Sequence, residues 1–348
     1  MTAVPPLLDG TCPSCGRPIG GSDSFCEACG TELAPPLAST EPDGYTPHCP
    51  VCSVDPAITP GAITPEGYCE SCGRKAPSGR DHIELDLVLV AGVTDRGWRH
   101  TRNEDAMAMA TAETPAGPVA IAVVCDGVST SPRSDEASLA AAQAAARTLL
   151  ASARRGEDPV QAAPVAVRAA HQALSTLSAP GEAPSATYVS AIVGTKAVTL
   201  SWLGDSRAYW LGVDGRATRL TTDDSMAEEL IAQGTSEAEA LASPQAHVIT
   251  RWLGADLAEV HPHVLQVEPP GPGVVLVCSD GLWNYQPEAA GLARLALPAA
   301  RTDPLGAAEA LVKFALDAGG MDNITALLVP FPPQPIPPRT VPARRLAT

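Results

Sequence analysis

The chain has 348 residues, of which 45% are hydrophobic, and it carries 23 basic against 39 acidic side chains. The net charge of −16 argues against a surface that binds nucleic acid. The sequence contains no run of about 18 apolar residues, so no membrane span is predicted. The start of the chain lacks the basic and apolar regions of a secretory signal, so we expect a cytoplasmic protein. The length suffices for one large domain plus smaller ones.

Cysteines are concentrated at the beginning of the chain, where eight of the ten precede residue 73 as four Cys-x-x-Cys pairs. Two such pairs can supply four thiolates to one tetrahedral ion, which is typical of zinc ribbons. A disulfide framework is the alternative, but it suits secreted chains. We therefore predict two structural zinc ions, which would supply most of the folding energy of these short segments. The predicted ligands are Cys12, Cys15, Cys26 and Cys29 in a first module at about 10–33, and Cys49, Cys52, Cys69 and Cys72 in a second at about 47–76.

Segments rich in Pro, Gly and Ser separate the predicted units. Residues 33–47 and 75–82 are predicted as linkers. Residues 332–348 are rich in Pro and are predicted as a tail without regular structure. The predicted order is therefore the cysteine modules in 1–80, a large domain at 82–331, and the tail.

The large domain alternates two kinds of element. Apolar positions at helical spacing predict helices at 134–155, 158–177 and 304–319, and Pro164 weakens the second of these. Short runs of apolar residues predict strands at 83–93, 119–125, 188–195, 197–204, 207–213, 274–278 and 324–329. Short turns between them, such as residues 213–216, indicate antiparallel hairpins. The pattern predicts an α+β fold of two sheets packed face to face with helices outside.

Five separate segments place a carboxylate at the end of an apolar run or at the start of a loop. They are residues 102–106, 123–127, 203–207, 277–281 and 320–325. A sheet can bring such strand ends together, and repulsion would then raise the pKa values of the acids unless a cation neutralised them. Hard divalent ions such as magnesium and manganese suit clustered carboxylate oxygens. The pattern therefore predicts a site for these metals.

The wording and order of these segments resemble the PP2C-type metal-dependent phosphatases, in their bacterial form. The matching stretches lie between Leu87 and Val329 and read TDRGWRHTRNEDAM, VVCDGV, SWLGDSRAYW, LTTDDSMAEELIAQG, HVITRWLG, VLVCSDGLWNY and GGMDNITALLV. The resemblance implies an α/β/β/α sandwich of two antiparallel sheets and a protein serine/threonine phosphatase. It further implies attack by a hydroxide that bridges two Mn or Mg ions, phosphoprotein substrates, and a cognate Ser/Thr kinase.

The resemblance also implies a role for individual residues. Asp126 would bridge the two main ions, Asp205 would reach a weaker third ion, and Asp105 would act in the second shell or through water. The residues implied to complete the two main ions are Glu104, the carbonyl of Gly127, Asp280 and Asp322. Residue types alone leave simpler roles open, namely a helix cap at 103–105, an Asx turn at 322–323, and a salt bridge from Asp205 to Arg207.

Several positions depart from the family pattern. An Arg that grips the substrate phosphate in many members is replaced by His100, and we expect Arg99 to take its place through a small shift of register. Arg99 and His100 are thus the candidate phosphate-binding residues. No His follows Asp126-Gly127, so a metal-bound water is the expected proton donor to the leaving hydroxyl. Asn284 replaces a frequent acid, and Asp224 replaces a frequent His.

Two other functions remain open from the sequence. An inactive PP2C-like scaffold that binds phosphoproteins would retain the sandwich, although it would have no need for every carboxylate. A nucleic-acid-binding role for the cysteine modules conflicts with the excess of acidic residues in 1–80.

Overall fold

The computed structural model describes residues 10–11, 17–19, 28, 37–40, 49, 52–54, 58–64, 68–74, 76 and 79–334. The thiols of the first cysteine module and residues 335–348 of the predicted tail lie outside this set. The boundaries of the predicted domains therefore stay predictions.

The strands and helices of the described residues follow in chain order. The strands are β1 (Gly10–Thr11), β2 (Pro18–Ile19), β3 (Leu37–Ser39), β4 (His82–Asp86), β5 (Ala91–Asp95), β6 (Asp105–Thr114), β7 (Gly117–Asp126), β8 (Ser185–Ala186), β9 (Tyr188–Val193), β10 (Val198–Leu203), β11 (Arg207–Gly212), β12 (Ala217–Arg219), β13 (Leu253–Gly254), β14 (His263–Val267), β15 (Gly273–Cys278) and β16 (Ile324–Phe331). The helices are α1 (Ser134–Arg154), α2 (Pro159–Ser175), α3 (Met226–Ala232), α4 (Glu237–Leu241), α5 (Asp280–Trp283), α6 (Ala289–Ala300) and α7 (Pro304–Asp317).

Two six-stranded antiparallel sheets form the centre of the fold. The first has the strand order β14-β10-β9-β7-β6-β3, and the second has the order β12-β11-β15-β16-β5-β4. Side chains such as Met107, Leu200 and Leu327 fill the space between the sheets. Helices α1 and α2 cover the outer face of the first sheet, and α5, α6 and α7 cover that of the second. This arrangement confirms the predicted α/β/β/α sandwich.

Small residues bring the helices close to the first sheet. Ala137, Ala141 and Ala145 recur at helical spacing along α1 and are fully buried against the core. The side chain of Asp158 caps α2 by accepting from the Val160 N–H at 3.0 Å, and α2 continues through Pro164. Among the described residues, no helix combines the length and the apolar character needed to cross a membrane.

The local structure differs from the predictions in several places. The predicted strand at 83–93 is the hairpin β4–β5, which turns where Val88 adopts a φ of 70°. The predicted linker at 33–47 contains β3, which pairs with β6. Strand β6 itself was not predicted, because its alternating Ala and Met residues lack the β-branched side chains that mark a strand. The second predicted linker also contains a buried residue, Arg80.

Candidate active site and metal centre

Acidic side chains from both sheets meet at one end of the sandwich. Asp105 begins β6 and pairs across the sheet with Asp126, the last residue of β7. Asp205 lies in the turn between β10 and β11. Asp280 begins α5 just after β15, and Asp322 lies two residues before β16. The antiparallel order of the strands thus gathers the acids that the sequence placed in separate segments.

Burial and mutual repulsion raise the pKa values of these carboxyl groups. Burial is the main cause for Asp126, whose pKa lies well above its usual value, and the charges of Asp105, Asp280, Asp205 and Asp322 add to it. Burial, followed by Asp205 and Asp322, raises the pKa of Asp280 to about 8. Burial also raises the pKa values of Asp105 and Asp205 to about 7. Such a cluster would be stabilised by bound cations.

Two carboxylate oxygens of the cluster are available for a cation. Asp105 Oδ1 and Asp280 Oδ1 are buried and have no hydrogen-bond partner among the described residues. The other oxygen of Asp105 accepts from Ser279 Oγ at 2.6 Å and Thr325 Oγ1 at 2.7 Å. The other oxygen of Asp280 accepts from Asn284 Nδ2 at 3.2 Å. Since a buried oxygen without a partner is costly, this donor set fits a hard divalent ion.

Glu104 is held in the cluster by hydroxyl groups. Ser129 Oγ donates to Glu104 Oε2 at 2.5 Å, and Ser134 Oγ donates to Oε1 at 2.7 Å. The backbone N–H of Glu104 donates to Asn323 Oδ1 at 2.7 Å. Glu104 lies directly before β6, so the helix cap considered for residues 103–105 is not what the structure shows.

Both Asp-Gly pairs of the cluster require their glycine. A Cβ on Gly127 would lie 2.4 Å from the carbonyl oxygen of Ser134, and one on Gly281 would lie 1.9 Å from that of Asn323. The Gly127 N–H also donates to the carbonyl of Glu104 at 3.1 Å. Only a residue without a Cβ permits such close backbone contact. Each Asp-Gly motif therefore supplies both an acid of the cluster and the tight backbone packing next to that acid.

His100 lies among the carboxylates, whereas the adjacent Arg99 forms no ion pair with them. His100 Nε2 is 3.1 Å from Asp322 Oδ1, and its Nδ1 is 3.8 Å from Glu104 Oε2. Arg99 is exposed and forms no ion pair within the part of the chain that the structure describes. The nearby Arg102 is bonded to Asp135 at 3.2 Å. Of these three side chains, only the imidazole of His100 forms an ion pair with an acid of the cluster.

Asp205 is not the hydrogen-bonding partner of Arg207. The guanidinium of Arg207 instead donates to Asp223 Oδ2 at 2.6 Å and lies 3.5 Å from the ring centre of Trp283. The indole N–H of Trp283 donates to the backbone carbonyl of Asp205 at 2.9 Å. Arg207 and Trp283 therefore support the turn that carries Asp205, while Asp223 balances the Arg207 charge.

The altered position Asp224 has its own partner outside the cluster. Asp224 Oδ1 lies 2.8 Å from His263 Nε2, and Oδ2 accepts from the Gly204 N–H at 3.0 Å.

The Asx turn considered for residues 322–323 is not formed by the hydrogen bond seen there. Asp322 Oδ1 accepts from the N–H of the next residue, Asn323, at 2.8 Å, whereas an Asx turn joins the side chain to the N–H two residues on.

Sequence reasoning missed the polar residues that orient the acids. They are Ser129, Ser134, Ser279, Asn323 and Thr325. Ser279 and Thr325 lie within the segments 277–281 and 320–325, next to predicted ligands, and this proximity was the signal that could have identified them. Nothing in the sequence distinguishes Ser129 or Ser134 from ordinary loop and helix-start residues.

The second cysteine module forms a compact group of thiols. One ligand atom from each of Cys49, Cys52, Cys69 and Cys72 lies within 4.8 Å of the others. The sulfur–sulfur distances include 3.3 Å for Cys49–Cys72, 3.5 Å for Cys52–Cys69 and 3.9 Å for Cys52–Cys72. A zinc–sulfur distance of about 2.3 Å places tetrahedral sulfurs about 3.8 Å apart, whereas a disulfide needs about 2.05 Å. The distances fit a zinc site better than disulfides.

Tight turns present these thiols. The Ser53 N–H donates to the Cys49 carbonyl at 2.9 Å, and the Gly73 N–H donates to the Cys69 carbonyl at 2.8 Å. Ser53 and Gly73 both have a positive φ, of 56° and 69°. The two Cys-x-x-Cys segments therefore form similar turns around one centre. Cys125 and Cys278, by contrast, are fully buried in β7 and β15, as expected for small apolar residues.

The fold and the carboxylate cluster together define a four-layer sandwich protein with a site suited to divalent cations. A family model described as Protein phosphatase 2C matches residues 97–314. Because the match covers more than half of the chain, the chain belongs to the protein phosphatase 2C family.

Similar proteins are known from bacteria. The chain is 34% identical over 145 residues to the serine/threonine phosphatase stp of Listeria innocua, which covers 41% of this chain and 55% of that protein. It is 30% identical over 177 residues to the serine/threonine protein phosphatase PstP of Mycobacterium tuberculosis, which covers 50% of this chain and 33% of that protein. The alignments thus span about half or less of these relatives.

Solved structures share the fold. A crystal structure of Mycobacterium tuberculosis PstP/Ppp has a TM-score of 0.57 and 27% identity, covering 70% of this chain and 97% of that chain. A structure of the PstP catalytic domain in complex with two manganese ions has a TM-score of 0.54 and 25% identity, covering 72% of this chain and 99% of that chain. The predicted family and fold class are therefore confirmed.

Proposed function

We propose that this chain is a metal-dependent protein serine/threonine phosphatase that hydrolyses phosphoserine and phosphothreonine in cytoplasmic phosphoproteins. The observation that carries the proposal is the cluster of buried acids, in which Asp105 Oδ1 and Asp280 Oδ1 have no hydrogen-bond partner among the described residues. The relatives named as serine/threonine phosphatases support the reaction class. A cognate Ser/Thr kinase would supply the substrates.

The acids of the cluster are the proposed ligands of two Mn or Mg ions, with Asp205 serving a third. Bound there, such ions would supply the positive charge and the activated water for in-line attack on phosphorus. Asp126 is central, because four other carboxylates influence its pKa. The full proposed set is Glu104, Asp105, Asp126, the carbonyl of Gly127, Asp205, Asp280 and Asp322.

The protein's own contribution is to hold these groups in one arrangement before substrate binds. Ser279 and Thr325 fix one oxygen of Asp105, and Ser129 and Ser134 fix both oxygens of Glu104. Hydroxyl donors lower the freedom of the carboxylates without adding charge. The geometry therefore favours catalysis over a scaffold that only binds phosphoproteins.

The substrate phosphate is proposed to bind beside His100, with Arg99 supplying additional positive charge. His100 is in contact distance of Asp322, so a phosphate at the cluster would meet its imidazole. Arg99 is exposed and adjacent in the chain, and a guanidinium can bind phosphate with two hydrogen bonds. The position after Asp126-Gly127 is Val128, which has no proton to give, so water protonates the leaving hydroxyl.

A cavity beside Asp205 provides room for the rest of a protein substrate. It has a volume of about 630 Å³ and is lined by residues that include Arg219, His247, Trp283 and Glu288. Such a volume can accept side chains that flank the phosphorylated residue.

The thiols of Cys49, Cys52, Cys69 and Cys72 are proposed to bind one structural zinc ion. The first module, with Cys12, Cys15, Cys26 and Cys29, is proposed to bind a second. The sulfur–sulfur distances of 3.3, 3.5 and 3.9 Å support the assignment for the second module, and the matching Cys-x-x-Cys spacing supports it for the first.

A peptide assay tests the proposed reaction. Purified full chain is assayed on a phosphothreonine peptide with and without manganese, beside Asp126→Asn and the control Asp158→Asn, which alters only the cap of α2. We expect manganese-dependent turnover that falls by about 10³-fold or more in Asp126→Asn, because several kcal/mol of transition-state stabilisation are lost. The control should retain wild-type turnover. Tight phosphopeptide binding without turnover by the wild type would favour the scaffold function instead.

A further inference from the structure

Arg80 is buried next to the carboxylate cluster, although it lies in a segment predicted as a linker. Only 8% of the residue is exposed. Its Nη2 donates to the backbone carbonyl of Asp105 at 2.9 Å, and its Nη1 donates to that of Asp135 at 2.7 Å. One guanidinium thus joins the first residue of β6 to the first turn of α1.

Both attachment points support proposed ligands. Asp105 is itself a member of the cluster, and the first turn of α1 carries Ser134, which donates to Glu104 at 2.7 Å. The carbonyl of Arg80 accepts from the side-chain amide of Asn103 at 3.0 Å. Arg80 is therefore bonded to both neighbours of Glu104, to the backbone carbonyl of Asp105 and to the side chain of Asn103.

The network is specific to a guanidinium. Its planar fork donates in two fixed directions, whereas the ammonium group of a lysine is a single point charge on a flexible chain. Burial lowers the pKa of Arg80, and the charges of Asp135 and Asp105 act in the opposite direction. A buried cation with these partners also offsets part of the negative charge beneath the cluster.

The second cysteine module is attached to the same strand from both sides. Before the module, β3 pairs with β6, and the Thr40 N–H donates to the Met107 carbonyl at 3.0 Å. After the module, Arg80 follows Cys72 by eight positions and bonds to the start of β6. The module thus lies in the chain between two segments that both bond to the strand beginning in the carboxylate cluster.

Little apart from a metal ion can hold this module together. Its buried apolar residues, among those described between positions 49 and 76, are Cys49, Ala62, Cys69 and Ala76. So small a set cannot sustain a fold of its own, and metal binding replaces it in such modules.

We propose that Arg80 is a positioning residue for the divalent-cation site, and that the zinc-loaded second cysteine module holds Arg80 in place. Cation affinity at the carboxylates then depends on zinc bound at a separate site, which is an energetic coupling between two metal sites. The inference rests on the proposed function only for the nature of the cation site.

Manganese binding tests the role of Arg80 without any measurement of turnover. Zinc-loaded full chain is titrated with Mn²⁺, and the free ion is followed by its electron paramagnetic resonance signal. We expect Arg80→Gln to weaken Mn²⁺ binding by about 10- to 100-fold, as for other residues that orient metal ligands, and Arg80→Lys to retain part of the affinity. Wild-type affinity in Arg80→Gln would overturn the inference. If Arg80→Gln fails to fold, Arg80→Lys decides the question, and unchanged affinity in that variant overturns the role of the guanidinium.

A second series tests the link to zinc. Cys52→Ser combined with Cys72→Ser removes two thiols of the module, and we expect weaker Mn²⁺ binding together with the loss of one zinc ion per chain. Adding Arg80→Gln to this variant should produce little further loss, because both changes release the same contact. Independent, multiplicative losses would show that the module does not act through Arg80.

A control separates positioning from general stability. Leu174→Ala removes a fully buried side chain of α2 in the core on the outer face of the first sheet. It should lower the urea midpoint but leave Mn²⁺ affinity unchanged. An equal loss of affinity in Leu174→Ala would assign the Arg80 effect to stability and overturn the inference. An inactive wild type that binds Mn²⁺ normally would refute the proposed function but not this coupling.

Discussion

The two candidate metal sites are built in opposite ways. The thiols of the second cysteine module come from one short stretch between positions 49 and 72, and each pair is presented by its own turn. The carboxylates come from both sheets and span positions 104 to 322. The first site is therefore a property of local spacing, whereas the second depends on the order of strands across the whole sandwich.

The two sites also differ in how they behave without metal. Thiols have an ordinary pKa of about 8.5 and can stay neutral near pH 7, so an empty thiol site loses a link but gains no repulsion. The carboxylates repel one another, and burial and their mutual charges raise the pKa values of Asp105, Asp126, Asp205 and Asp280. Removing an acidic ligand should consequently stabilise the metal-free protein, whereas removing a thiol ligand should leave the stability of the metal-free protein nearly unchanged.

The largest expected effect is that of Asp280→Asn. The change removes a charge whose burial is unfavourable, so we expect turnover to fall by about 10³-fold while the metal-free protein gains about 1 kcal/mol, or roughly 2–4 °C in Tm. Scanning calorimetry after removal of divalent cations and the peptide assay measure both. A lower Tm for the metal-free variant would contradict the repulsion described for the cluster.

Cys69→Ser should instead act through the loss of bound zinc. Because a serine hydroxyl is a poor zinc ligand, we expect the zinc content to fall by one ion per chain and the segment around residues 49–72 to become sensitive to protease. Elemental analysis and limited proteolysis provide the readouts. Cys125→Ser, a buried cysteine outside the module, is the matched control and should leave the zinc content unchanged. Full zinc content in Cys69→Ser would refute the thiol site.

A smaller effect is expected where the carboxylate cluster meets the substrate. His100→Gln should lower kcat/KM by about 10- to 100-fold, or roughly 1.4–2.7 kcal/mol, since it removes the imidazole beside Asp322. Arg99→Gln should mainly raise KM, because an exposed guanidinium adds binding energy and not geometry. Steady-state kinetics of both variants separate these roles. If Arg99→Gln lowers kcat and His100→Gln does not, the assignment is reversed.

The smallest effect is expected for the stability contributed by His82, which pairs with two acids that are not proposed metal ligands. His82 lies 2.7 Å from Asp95 and 3.0 Å from Glu84, and its bond to Asp95 is the main cause of a pKa raised to about 9. This stabilisation is fully present below about pH 6.5 and is lost as the pH rises through about 9. Since about a third of the side chain is exposed, it should contribute less than about 1 kcal/mol.

Urea unfolding of His82→Gln at pH 6.5 and pH 10 tests this expectation. The variant should be less stable than the wild type at pH 6.5, and the difference should shrink at pH 10. His261→Gln, whose side chain is 83% exposed, is the control and should show no difference at either pH. A constant difference for His82→Gln at both pH values would exclude the imidazolium as the cause.

The sequence predicted much of the fold but missed elements that lack a strong local signal. Helices α1, α2 and α7 follow apolar spacing, and β9, β10 and β15 follow runs of apolar residues. Strand β6 is rich in Ala and Met, and β3 is short and bordered by prolines, so neither resembles a strand by composition. Strand β6 acquires its structure by pairing with β7 along its whole length, and β3 by pairing with β6 at the edge of the first sheet.

The candidate site, too, was predicted only in part. The acids were identified from their segments and from the resemblance to a family, but their supporting groups were not. Ser134 in α1 and Asn323 before β16 meet Glu104 only because distant elements pack together. Arg80 was placed in a linker, because burial between β6 and α1 leaves no trace in the surrounding residues.

The sequence by itself determined the Cys-x-x-Cys spacing of the thiols, the amphipathic helices and the identity of the acids. Each of these features depends only on residues that are close together in the chain. The tertiary structure alone decided which acids are buried together, which hydroxyls hold them, and that His100 and Arg80 lie beside them. The physical reason is that strand order and helix packing bring together groups far apart in the chain, as in the hydrogen bond from Thr325 to Asp105, which spans 220 positions. No periodicity in the chain encodes such a contact.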